Sequence, residues 1–189
     1  MNVTKLSESG YEEAMLGISL SWASNPERAK EIAPKLAHKQ GGHNKFLESM
    51  MVWLDVDAPR YWWQEFDTYR VGVSKQSEST MHTITKRQLV SGLYEKDYED
   101  TVHPSIIKAL NELIDEYIYA TDSDDKKELF LQIKASLPEG FLQRRIVCMS
   151  YKTLQNMYAQ RKNHRLPEWK SFFDVLDELD HKEFILEDK

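Results

Sequence analysis

The chain has 189 residues, 41% of them apolar and 30% charged, enough for one domain with a real core. Seven Gly, six Pro and a single cysteine, Cys148, exclude a collagen-like chain, an internal disulfide and a multi-cysteine zinc site. A net charge of −6 argues against a broad nucleic-acid footprint, and the longest apolar runs fall far short of the roughly 20 residues a membrane helix needs. With no basic, apolar leader at Met1, the expectation is a cytoplasmic protein that binds neither a nucleic-acid polymer nor a membrane. The average hides an asymmetry. From Gln143 to Arg165 the chain carries Arg144, Arg145, Lys152, Arg161, Lys162 and Arg165 and no carboxylate. In an acidic protein that segment suits a small anion, or else forms a solvated basic helix face.

In chain order, residues 11–23 predict a first helix. Asn25-Pro26 then reads as a cap followed by proline at the first helical position, opening a helix toward Lys39 that kinks at Pro34 and stops at Gly41-Gly42. Val52, Leu54 and Val56 alternate with Trp53, Asp55 and Asp57, the period of a strand with one buried face. Ala58-Pro59 ends it, and residues 59–70 have helical spacing. The aromatic row Tyr61, Trp62, Trp63, Phe66 and Tyr69 reads as core or subunit interface. The polar stretch 72–80 is expected to be a loop. His103-Pro104 opens an amphipathic helix, the acidic turn 122–125 leads into another ending before Pro138, and residues 145–149 favour a strand. Ser150 is placed to cap a helix running to about Arg161, and a last helix begins near Pro167. There is no repeat and no break in composition, so a single α+β domain over residues 1–189 is expected, a sheet flanked by helices.

No glycine-rich phosphate loop, no GxSxG and no HExxH is present, and the six histidines form no metal register. Cys148 lies in an apolar stretch and reads as inert. If the chain is an enzyme, its difficult chemistry belongs to a cofactor.

Two segments, 42–82 and 137–169, carry a more specific pattern. Gly42-His43, Glu48 and Ala58-Pro59 are followed by Glu65, Phe66, Thr68, Tyr69 and Arg70. Ser74, Gln76, Ser77, Ser79 and Met81-His82 come next. Later, Lys134 precedes Leu137-Pro138, and Ser150, Lys152, Leu154, Asn156, Met157 and Arg161 follow at helical spacing. Together these resemble a divergent flavin-dependent thymidylate synthase, the thymidylate synthase-complementing family. Its Gly-His, Ala-Pro, Arg-Gln-Trp-x-Arg-His-Arg and Ser-x-Asn-Glu-x-Ser-x-Arg-Tyr elements occur in the same order. The departures are specific. Only Arg70 keeps its arginine in the Arg-His-Arg triplet, Glu65 stands for glutamine, Ser77 for glutamate, and Met81-His82 for Arg-Tyr.

The resemblance implies the flavin-dependent thymidylate synthase fold, a homotetramer, FAD as cofactor, and NADPH and methylene-tetrahydrofolate as co-substrates. It implies reductive methylation of carbon-5 of deoxyuridine monophosphate to thymidylate with no protein nucleophile. Arg161 takes the place of the arginine on the uracil ring, a catalytic position. Lys134, Ser79, Ser77 and Glu65 take nucleotide-binding positions, and His43, Glu48, Arg70, Lys152, Asn156 and Tyr69 cofactor-binding ones. His82 puts a titratable ring where the family has tyrosine. Two alternatives stay open: the same fold acting on another pyrimidine nucleotide for modified bases, and a non-catalytic flavin- or nucleotide-binding homologue.

Overall fold

A computed structural model describes residues 1–21, 25–39, 41–92 and 96–186. The elements run β1 (Asn2–Ser9), α1 (Tyr11–Ser21), α2 (Pro26–Ala37), β2 (Met51–Pro59), α3 (Arg60–Phe66), β3 (Val73–Ser77), α4 (Thr80–Thr83), α5 (Pro104–Tyr119), α6 (Ser123–Ser136), β4 (Leu142–Ser150), α7 (Tyr151–Arg161) and α8 (Pro167–Phe173), with short 3-10 helices at Lys45–Glu48, Asp174–Glu178 and Lys182–Phe184. The strands form one sheet in the order β1-β2-β4-β3. Backbone bonds from Tyr151 to Met50 and from Arg60 to Phe141 make β2 and β4 antiparallel. Bonds from Ser150 to Gly72 and from Glu78 to Arg144 do the same for β3 and β4. The fold class is α+β, as expected.

Local chemistry explains most boundaries. The Asn25 side chain accepts from the Arg28 N–H, and Pro26 begins α2, which continues through Pro34. Asp122 accepts from the N–H groups of Asp124 and Asp125 at the start of α6. Ser150 accepts from the Thr153 N–H at the start of α7, as its position before that helix predicts. Along β2, Val52, Leu54 and Val56 are fully buried while their neighbours are half-exposed. The end predicted for the first helix, at Trp22 and Ala23, lies outside the described residues.

Three expectations are corrected. The stretch 72–80 is not a loop: it supplies β3, an edge strand, and then the start of α4. Its polarity misleads because an edge strand bonded on one side leaves most of its side chains in water. The predicted helix 59–70 stops at Phe66, where Asp67 is captured by the side chains of Lys75 and Arg145 and the backbone turns toward Gly72. Residues 2–9, in which no element was expected, form β1, also an edge strand.

The chain divides into two compact units. Unit 1 takes the described residues of Met1–Val56, Phe66–Gln76 and Arg145–Lys189, and unit 2 takes Asp57–Glu65 and Ser77–Arg144. In unit 1, α1 packs on α2, and Val147, Met149, Leu154, Met157, Phe66, Trp169 and Phe172 are buried. Each such large side chain contributes about 1.5–3 kcal/mol by leaving water. In unit 2, α5 packs on α6 around Ile84, Leu89, Leu110, Ile114, Ile133, Leu137 and Phe141. Trp62 and Trp63 are buried there as well, and the Trp63 indole donates to the Gln143 carbonyl at 2.8 Å. Most of the aromatic row is therefore core. No helix among the described residues is long and apolar enough to cross a membrane.

Candidate functional site

In unit 1, residues from three segments meet around one cavity of about 610 Å³. Glu48 ends the 3-10 helix before β2, and Thr68, Tyr69, Arg70, Val71 and Gly72 form the turn after α3. Ser150, Lys152, Thr153, Asn156 and Gln160 come from the first turns and one face of α7. Five of the predicted cofactor residues (Glu48, Tyr69, Arg70, Lys152 and Asn156) thus share one lining. The turn approaches α7 closely because Gly72 has φ +66 and no side chain. A Cβ there would stand 2.7 Å from Thr153 Oγ1 and 2.8 Å from Ser150 Oγ. Those hydroxyls bond each other at 3.0 Å, and Thr153 Oγ1 donates to the Val71 carbonyl at 2.8 Å, stapling turn to helix.

The turn is held from its other side too. Burial alone would raise the Asp67 carboxyl, but hydrogen bonds from Lys75 and Arg145 outweigh it and hold Asp67 below the usual carboxylate range. Arg145, from the basic segment, is in this way tied to Asp67 within the protein. His43 lies elsewhere. It lines a separate cavity of about 480 Å³ in unit 1 with Gly41, Gly42, Phe46 and residues of α1.

Arg161 ends α7. Its Nε–H donates to the Tyr69 hydroxyl at 3.0 Å, and its guanidinium lies over the rings of Tyr69 and Trp169. Gln160 and Trp169 carried no signal in the sequence: one is a polar residue on a helix face, the other a single aromatic in the last predicted helix. Cys148 is half-buried, and burial pushes its thiol up, against a nucleophilic role.

In unit 2, Lys134, near the end of α6, donates to Thr80 Oγ1 at the first turn of α4. Ser79 occupies the cap position of α4, and its carbonyl accepts from the His82 N–H at 3.1 Å and from the Thr83 hydroxyl at 3.0 Å. Ser77 ends β3, and His82 is exposed on α4. Lys134 and the serine turn therefore come together. Glu65 lies in α3 and is half-buried. Unit 2 also has a cavity of about 620 Å³ lined by residues of 83–89, by Lys96 and Asp97 and by the start of β4, and by none of the predicted site residues.

No family model matches the chain, and no curated protein matches it in sequence. Solved structures do match. One is flavin-dependent thymidylate synthase ThyX from Helicobacter pylori complexed with FAD and dUMP, with a TM-score of 0.76, 18% identity, and 98% of each chain covered. Another is thymidylate synthase X (ThyX) from the same organism with FAD and dUMP, also at TM-score 0.76 and 18% identity, covering 99% of this chain and 98% of that one. The likeness runs end to end, and at this identity it establishes the fold.

Proposed function

We propose that this chain, acting as one domain over residues 1–189, binds FAD and deoxyuridine monophosphate and reductively methylates carbon-5 of the pyrimidine to give thymidylate. The observation that carries the reading is the gathering of Glu48, Tyr69, Arg70, Lys152 and Asn156 on one cavity. They come from far apart in the chain, which has the fold of a synthase solved with FAD and dUMP. A homotetramer in the cytoplasm, with NADPH and methylene-tetrahydrofolate as co-substrates, belongs to the same reading.

The donor set suits FAD. Arg70 and Lys152 offer cations to a pyrophosphate, Glu48 accepts from ribose hydroxyls, and the amides of Asn156 and Gln160 serve ring edges. Bound there, the flavin supplies hydride chemistry that no side chain can. The chain's own residues bind and orient. Arg161 grips an electron-rich uracil carbonyl and stabilises negative charge developing on its oxygen. Lys134 meets the nucleotide phosphate as a point charge, without the bidentate grip of arginine. Its ammonium already donates to Thr80, so it is held at the turn where the Ser79 hydroxyl and the Ser77 N–H would join it.

One observation favours a second reading. Met81, 57% exposed on α4, adjoins Thr80 where the family has arginine. That suits the same chemistry on another pyrimidine nucleotide made for modified bases. One experiment tests both: incubate the protein with FAD, NADPH, methylene-tetrahydrofolate and a panel of pyrimidine nucleotides, and weigh the products. A dUMP product heavier by one methylene group is the expected result, and the same gain on a different nucleotide selects the second reading. A protein that takes up no FAD and alters no nucleotide overturns both.

A further inference from the structure

The surroundings of Arg161 form a set of contacts that ligand binding alone does not explain. The Tyr69 hydroxyl accepts from Arg161 Nε–H and donates to Gln160 Oε1, both at 3.0 Å. The guanidinium carbon lies 5.3 Å from the Trp169 ring centroid and 5.9 Å from that of Tyr69, both within cation–π range. The two rings meet edge to face, 6.1 Å apart at 73°. Trp169 is itself immobile: it is 0% exposed and packs against Phe66, Phe172 and Phe173. The His164 ring stands against it and accepts from the Leu166 N–H, closing the turn between α7 and α8.

A terminal arginine on an exposed helix end samples many rotamers and surrenders that freedom on binding a ligand. Here the cost is met during folding. We propose that Tyr69 and Trp169 clamp Arg161 in one orientation for a ligand carbonyl or anion. Trp169, which no ligand can reach, is then a positioning residue that acts only through Arg161. Tyr69 has a second face toward the cavity that holds Arg70, Lys152 and Asn156, so it ties that cavity to the arginine. The identity of the ligand, dUMP, rests on the synthase reading; the clamp does not.

The test uses the full chain labelled with ¹⁵N-arginine, the Arg161 Nε–H resonance being assigned by its loss in R161K. In the wild type it is expected displaced from the position of a free arginine by the Tyr69 hydrogen bond and the Trp169 ring, and slow to exchange with water. Y69F keeps the ring but removes the acceptor, and W169F keeps an aromatic face; W169L is avoided because its cavity threatens folding. Exchange at least about tenfold faster in Y69F, an Arg161 resonance moved toward that of a free arginine in W169F, and dUMP binding about tenfold weaker in both support the proposal. So does an unchanged FAD affinity in W169F. An unaltered Arg161 resonance in both variants overturns the clamp whatever the turnover, and an altered resonance with unaltered dUMP affinity overturns the positioning role. A wild-type protein that shows the resonance yet binds no dUMP upholds the clamp and overturns the synthase reading.

Discussion

Replacing Gly72 by alanine sets one methyl group against the turn, the cap of α7 and the cavity wall at once. At φ +66 an L-residue costs about 1–2 kcal/mol more than glycine. The added Cβ would stand 2.7 Å from Thr153 Oγ1 and 2.8 Å from Ser150 Oγ, so the hydroxyls must move. Ser150 is the cap of α7, and losing that bond costs about 1 kcal/mol more. Neither hydroxyl retreats cheaply, because Ser150 is 3% and Thr153 8% exposed. The sum is about 2–3 kcal/mol, which for a chain of this size lowers the melting temperature by roughly 4–12 °C. Thermal unfolding followed by circular dichroism measures it. Gly17, in the middle of α1 with nothing within 4 Å of its would-be Cβ, is the control. There alanine should stabilise by about 0.5–1 kcal/mol. FAD uptake should fall in G72A, whose added methyl sits in the cavity lining, and stay unchanged in G17A. A G72A protein melting within about 1 °C of the wild type refutes the close approach of turn and helix.

Other consequences are as direct. The folded value of Asp67 is depressed, so its stabilisation is present above the ordinary carboxylate value of 3.8 and is lost as the pH falls through the lower folded one. With its side chain 42% exposed, screening limits the effect to about 1 kcal/mol, and melting curves of D67N and wild type should separate at pH 7 and converge in acid. Tyr151, 1% exposed, donates to Glu8, and its hydroxyl is pushed up by burial first and by that carboxylate second. A raised value means the stabilisation is complete below the ordinary tyrosine value of 10.0 and is lost as the pH rises above it. Y151F should therefore cost about 1–3 kcal/mol at neutral pH and lose stability less steeply than wild type in alkali, as chemical denaturation at both pH values will show. R161A should fold normally and lose turnover by a factor of about 10²–10³, the cost of one donor to a developing oxyanion. Retained turnover in steady-state assays would remove Arg161 from the reaction.

What the sequence determined by itself is what depends on neighbours along the chain. Asn25-Pro26 places the start of α2, Ser150 that of α7 and His103-Pro104 that of α5, because caps act within a turn of backbone. The alternation in 52–56 reveals β2, whose one face is buried. The order of Gly42-His43, Ala58-Pro59, Arg70 and the Lys152-Asn156-Arg161 helix points to the fold of the matched synthase. Tertiary structure alone decided the edges and the contacts. β1 and β3 lie at the two edges of the sheet, so most of their polar side chains face water, and only pairing with a distant strand makes them strands. The same holds at the candidate site. Glu48, Arg70 and Lys152 share a cavity because antiparallel pairing brings Met50 to Tyr151 and Gly72 to Ser150. Tyr69 and Trp169 reach Arg161 from separate segments, the one when the turn after α3 meets the end of α7, the other when α8 folds back. Spacing along a chain registers neighbours three or four residues away; an arginine held between two rings from separate segments leaves no such trace.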